Sequence, residues 1–228
     1  MGKKLFYFWY FLSSLILTTS IELSCRNLDG EPVDWFAAYK LPSLDNPKNI
    51  RTGLDFLYSD PATSEWRFSS RNINDSESAI GATLSQLWTI KDDPQTFYAL
   101  YNDEHPGSGK SDSNRGHMKG VLAFDDIQGF WMIHSVPNFV NLKASRYSYV
   151  ESGTRNGQSF LCVTFPVTAL TEIGTQLFVA QPSVYDSRLP TSFATLFPDL
   201  AKAVRMSKFV GQFSSVKNLA SKNGVNFT

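Results

Sequence analysis

Residues 115–139 read Arg115-Gly116-His117-Met118-Lys119-Gly120-Val121-Leu122-Ala123-Phe124-Asp125-Asp126-Ile127-Gln128-Gly129-Phe130-Trp131-Met132-Ile133-His134-Ser135-Val136-Pro137-Asn138-Phe139. This stretch holds two of the three histidines in the chain and sets one of them two positions before a lysine. An extended backbone sends side chains i and i+2 to the same face. His117 and Lys119 are therefore expected to bring an imidazole and an ammonium into one pocket. Phosphodiester chemistry needs such a pair: a base or nucleophile, an acid for the departing oxygen, and positive charge for the non-bridging oxygens. Histidine fills either of the first two roles because it titrates near neutrality, and lysine supplies a point charge. A His-x-Lys triplet also arises by chance, so its surroundings must decide.

Those surroundings predict a hairpin, with strand Val121 to Phe124, a polar turn from Asp125 to Gly129, and strand Phe130 to Ile133. Phe130, Met132 and His134 then share one face, and Trp131 and Ile133 the other. His134 either supports the His117 pocket or satisfies a buried hydrogen bond. Pro137 ends the pairing. Further strands are expected over Val33–Lys40, Asp55–Tyr58, Phe97–Tyr101, Ser159–Phe165 and Gln176–Ala180. Between Ser76 and Ile90 the apolar residues Ile80, Leu84, Leu87 and Trp88 fall on one helical stripe, with Asp75 as N-cap. Short helices are expected over Val167–Ile173 and Ser192–Val204, the latter interrupted by Pro198. The pattern is that of a mixed α+β chain without internal repeats.

Several segments together resemble the deoxyribonuclease II family. They are Gly116 to Leu122 and Gly129 to Phe139 above; Ser24-Cys25-Arg26-Asn27 with Pro32 to Phe36 and Tyr39-Lys40-Leu41-Pro42; Leu100-Tyr101-Asn102-Asp103; and Arg155 to Ser159 with Cys162-Val163-Thr164-Phe165. The likeness runs from about Ser24 to Val204. It implies an α/β fold of the phospholipase-D-like kind, a sheet flanked by helices that forms one half of a pseudo-dimer. It also implies a secreted or lysosomal hydrolase (EC 3.1.22.1-like) that cuts DNA at acid pH without a divalent metal or cofactor and leaves 3′-phosphates. His117, Lys119 and His134 are the catalytic candidates on that resemblance. The family pattern carries a second His-x-Lys set in its other half, whereas no histidine follows His134 here. A mechanism with one histidine attacking phosphorus and another protonating the leaving oxygen needs two.

Composition fits these expectations. The 228 residues suffice for a buried core, and 42% hydrophobic with 14% aromatic residues favours a packed fold. The 21 basic and 21 acidic side chains give no net charge, and loss of Lys3 and Lys4 with a leader leaves a net of −2. That excludes a broadly basic nucleic-acid binder at neutral pH. A DNA-handling role then depends on local charge or on acid conditions that protonate His105, His117 and His134. Residues 1–20 have the order of a signal peptide, with Lys3 and Lys4, an apolar run from Leu5 to Leu17, and a small-residue exit at Thr18-Thr19-Ser20. A membrane anchor is the competing reading, but the run is shorter than a bilayer span. In a secretory chain the pair Cys25 and Cys162 is expected as a disulfide rather than a metal site, and the resemblance pairs the same two. Asn74-Asp75-Ser76 and Asn226-Phe227-Thr228 are glycosylation sequons.

Domain limits follow as a leader over 1–20, a folded domain over 21–206, and a poorly structured segment over 207–228 that begins a second half. Lys208, Lys217 and Lys222 in that segment are expected to face solvent. The loop Asp103–Asn114 is expected to flank a substrate groove, with His105 at the surface. Asp92-Asp93 and Asp125-Asp126 read as turn formers. Three functional readings stay open: an acid deoxyribonuclease completed by a second copy of the chain, a silent shortened relative that binds or merely folds, and a fragment whose other half completes the enzyme.

Overall fold

The computed structural model describes residues 22–45, 50–213 and 216–228, so the expected leader lies outside the described residues. Its centre is an eight-stranded sheet in which every neighbouring pair is antiparallel. In chain order the strands are β1 (Cys25–Arg26), β2 (Pro32–Val33), β3 (Trp35–Lys40), β4 (Phe56–Asp60), β5 (Thr63–Phe68), β6 (Phe97–Asn102), β7 (Lys119–Phe124), β8 (Gln128–His134), β9 (Gln158–Pro166), β10 (Val184–Arg188), β11 (Leu219–Ala220) and β12 (Asn226–Phe227). The large sheet runs β10-β6-β7-β8-β9-β3-β4-β5, while β1-β2 and β11-β12 form small ribbons. The α-helices among the described residues are α1 (Ala79–Ile90), α2 (Leu170–Ala180), α3 (Thr191–Leu196) and α4 (Pro198–Val204). The fold is thus mixed α+β, as the residue pattern predicts.

The predicted hairpin is β7-β8, in register from Gly120 opposite Ile133 to Phe124 opposite Gly129. Its turn is held by Asp125, whose Oδ1 accepts the N–H groups of Ile127 and Gln128, both at 2.7 Å. That is the turn-forming role expected of this carboxylate. Alternation sorts the sheet into two faces. Tyr98, Leu100, Val121, Ala123, Phe130 and Met132 pack with Phe36, Phe56, Tyr58 and Phe160 under the stripe Ile80, Leu84 and Leu87 of α1. On the other side Phe97, Ala99, Tyr101, Leu122, Phe124 and Phe165 meet Leu170, Ile173 and Leu177 of α2, with Phe193, Leu200 and Val204 of α3 and α4. Cys25 and Cys162 are joined, with Cα atoms 6.0 Å apart, so the disulfide ties the start of the described chain to the central strand β9.

Four local expectations change. Ser78 rather than Asp75 caps α1: its hydroxyl accepts the Gly81 N–H at 3.0 Å, while Asp75 turns the chain just before it. Gln176–Ala180, expected as a strand, is the second half of α2. Gly174 does not stop that helix; it lets α4 approach so closely that a Cβ there would lie 2.6 Å from the Leu200 nitrogen. Leu170, Ile173, Gly174 and Leu177 accordingly form one buried helical stripe. Strands β5 and β10 form where polar residues hid the alternation. Finally, within 207–228, β11 and β12 pair and dock on the sheet through Leu219 and Phe227. Buried Asp34 secures that ribbon by accepting the Ser221 hydroxyl at 2.6 Å and the Asn223 N–H at 2.8 Å. Those contacts come from a residue some 190 positions earlier, so local periodicity does not reveal them. Lys208, Lys217 and Lys222 are exposed as expected, with Lys217 paired to Glu172 at 3.1 Å.

Candidate active site

Strands β6, β7 and β8 deliver their chemistry at one end of the sheet. Asn102 ends β6 opposite Lys119, which begins β7, and the β8 register brings His134 to the same end. Lys119 and His134 lie on the α1 side, following the parity of Val121 and Met132. His117 precedes β7. Its main chain is docked on the far end of α2, where the Gly116 N–H donates to the Gln181 carbonyl at 2.9 Å. A Cβ on Gly116 would sit 2.3 Å from the Ala180 oxygen, so only glycine permits this approach. Arg115 adds a second tether by donating to the Met206 carbonyl at 2.6 Å.

Imidazole and ammonium do meet, but through a third group. Asp103, just past β6, accepts His117 Nδ1 on Oδ2 at 2.7 Å and the Lys119 ammonium on Oδ1. A carboxylate only accepts, so Nδ1 is the donor in this contact and Nε2 is left on the side of the ring turned away from Asp103. The His117 side chain is 85% exposed, whereas those of Lys119 and Asp103 are 5% and 12% exposed. Burial pushes the Asp103 carboxyl up, but hydrogen bonds from Lys119 and His117, with the Lys119 charge, hold it below the usual carboxylate range. Asn102 ties the end of β6 to the segment after β8. Its Nδ2 donates to the Val136 and Phe139 carbonyls at 3.0 and 2.9 Å, and its Oδ1 accepts the Glu104 N–H at 2.9 Å.

Sequence spacing alone does not mark Asp103 as a site residue, although Leu100-Tyr101-Asn102-Asp103 belongs to the resemblance. The available signal was a carboxylate leaving a buried strand that the hairpin would pair with His117. His134 sits apart from this surface. Its ring is buried beside Phe139 and Phe160, with centroids at 5.5 and 6.0 Å. Nδ1 accepts the Val136 N–H at 3.2 Å, and Nε2 has no hydrogen-bond partner among the described residues. Burial, then the nearby Lys119 charge, push the ring down to about 3, so it is neutral at any working pH above that. His105, expected at the surface, is half-buried and bonds Ser183 Oγ at 2.9 Å; Ser183 in turn donates to Asp112 at 3.0 Å. Both histidines are therefore structural in their contacts. Among the described residues no group of three or more His, Cys, Asp or Glu side chains is arranged to hold a metal ion.

The family model for deoxyribonuclease II matches residues 24–228. The chain belongs to the deoxyribonuclease II family. It is 40% identical to human deoxyribonuclease-2-beta over 185 residues, covering 80% of this chain and 51% of that protein. With deoxyribonuclease-2-alpha of Sus scrofa it shares 40% over 222 residues, 95% of this chain and 60% of that one. Plancitoxin-1 of Acanthaster planci is 36% identical over 222 residues, 95% of this chain and 62% of its own. The chain thus spans somewhat more than half the length of these relatives. Within the deoxyribonuclease II match lie all three members of the Asp103-His117-Lys119 cluster, the Cys25–Cys162 disulfide and the exposed sequon residues Asn74 and Asn226.

Proposed function

We propose that this deoxyribonuclease II family chain carries one half-site of an acid endodeoxyribonuclease that hydrolyses DNA phosphodiesters without a metal. The observation that carries the reading is the bridging of His117 and Lys119 by Asp103, which turns His117 Nε2 away from the carboxylate and toward solvent beside the Lys119 ammonium. His117 Nε2 attacks phosphorus, the bond to the 5′-oxygen breaks, and a second histidine gives that oxygen its proton. Water then cleaves the phosphohistidine, leaving a 3′-phosphate. Asp103 holds the ring in the productive tautomer and offsets the charge the imidazole gains on attack. Lys119 neutralises Asp103 and supplies its remaining N–H bonds to a non-bridging oxygen. His134 shapes the floor of the site rather than donating a proton, because it is buried and neutral.

The second histidine must reach His117 from outside this cluster, since His105 is bound to Ser183 and His134 is enclosed. A second copy of the chain that faces the first across a two-fold axis supplies one. DNA is the substrate on this reading, and a secreted or lysosomal setting, with glycans on Asn74 and Asn226, accords with the disulfide. The test is nicking of plasmid DNA near pH 5 with EDTA present. The chain is expected to cut, and His117→Ala to abolish cutting. Retained activity in His117→Ala refutes the assignment. The same single-histidine cluster also supports a second reading, a silent relative that keeps the fold; an inactive monomer under these conditions selects it, and an active dimer excludes it.

A further inference from the structure

The outer edge of the sheet at β5 points to a partner distinct from anything the His117 site requires. Among the described residues, strand β5, Thr63-Ser64-Glu65-Trp66-Arg67-Phe68, pairs with β4 on one side only. Trp66 is 54% exposed and Phe68 is 64% exposed, both on the face opposite α1. An open strand of six residues bearing two exposed aromatic rings is a ready template for strand addition. Natural edges are usually blunted by proline, lysine or brevity, and this one has neither proline nor lysine.

Its charges select the occupant. Antiparallel pairing of two identical strands about a two-fold axis at Trp66 sets each residue i opposite residue 132−i of the other copy. Glu65 then faces Arg67 of the second copy, Arg67 faces its Glu65, and the two Trp66 rings lie side by side. Opposite charges directly across a strand pair attract, and aromatic pairs add contact. The alternation Glu-Trp-Arg is therefore complementary to itself in the one register that centres on Trp66. Glu65 is exposed, and Arg67 lies over the Tyr58 ring at 5.7 Å with half of its side chain open to solvent.

We propose that β5 is a self-association edge at which two copies join their sheets into one continuous antiparallel sheet. With β7 five strands from β5, eleven strand spacings separate the two β7 strands, roughly 50 Å. The two His117 ends also point in opposite directions. This pairing is therefore independent of the facing arrangement considered for catalysis, and either stands without the other.

Sedimentation equilibrium of the full chain at neutral pH and low salt tests the proposal. The expected result is a reversible dimer, weakened by about tenfold or more in Glu65→Arg and in Arg67→Glu, and restored in the double reversal. Trp66→Lys, a change at a position 54% exposed, is expected to yield a folded monomer because like charges then meet at the axis. His117→Ala is expected to leave the β5 dimer unchanged. A chain that stays monomeric, single reversals without effect, or a double reversal weaker than both singles overturns the proposal. Thermal unfolding of each variant separates loss of pairing from loss of fold.

Discussion

Replacing His134 with Gln should make the protein markedly less sensitive to acid. The buried ring titrates at about 3 in the folded chain, against about 6.5 once unfolded. Between those values the unfolded state binds a proton that the folded state refuses, so stability falls as pH falls through that window. The loss is negligible at pH 7, reaches about 2 kcal/mol at pH 5, and levels off at about 5 kcal/mol below pH 3. Gln does not titrate and keeps an acceptor for the Val136 N–H, which His134 Nδ1 now receives at 3.2 Å. The assay is urea unfolding of both proteins at pH 7 and pH 5 with the disulfide intact. Any packing cost of the substitution appears at both pH values and cancels. The native chain should lose about 2 kcal/mol more than His134→Gln between the two conditions. Equal losses would refute the burial argument and return His134 to the list of groups able to take a proton in the working site.

Asp103→Asn removes the counter-charge of a nearly buried Lys119 and should cost about 3–5 kcal/mol in unfolding experiments at pH 7. Because the Asp103 carboxyl is held below the ordinary range, its contribution is lost only as pH falls through that lowered value, so Asp103→Asn should remain destabilised at pH 5. Reduction of Cys25–Cys162, which closes a separation of 137 residues, should lower stability by about 5 kcal/mol by chain-entropy reasoning, measured by unfolding with and without reductant. Gly116→Ala drives a methyl group against the Ala180 carbonyl and should cost about 1–3 kcal/mol. On the proposed function it should also slow cleavage by displacing His117, and unchanged stability would refute the tether.

Legibility in the sequence followed the range of the interactions. The hairpin β7-β8 was plain because its alternation and its Asp125 turn are local, and α1 was plain because its stripe repeats over three turns. Strand β10 was hidden because Val-Tyr-Asp-Ser-Arg lies at an edge with partly exposed side chains, and edges need no apolar alternation. The second half of α2 is hidden in the sequence because a glycine that serves helix packing looks, in isolation, like a stop signal. His117 and Lys119 are visible by spacing, but Asp103, which joins them, sits 14 positions from His117, just past the end of β6.

What the sequence determined by itself was the candidate imidazole and ammonium of His117 and Lys119, the alternating strands of the β7-β8 hairpin, and the pairing of its two cysteines. These depend on neighbours within a few residues or on a choice among very few partners. Only the tertiary structure decided which histidine stays in water and which is walled in, that Asp103 bridges imidazole and ammonium, and that Asp34 anchors the last ribbon. Exposure and hydrogen bonding between distant segments are set by how the β6, β7 and β8 ends converge, and the cost of burying a charge acts only after that convergence.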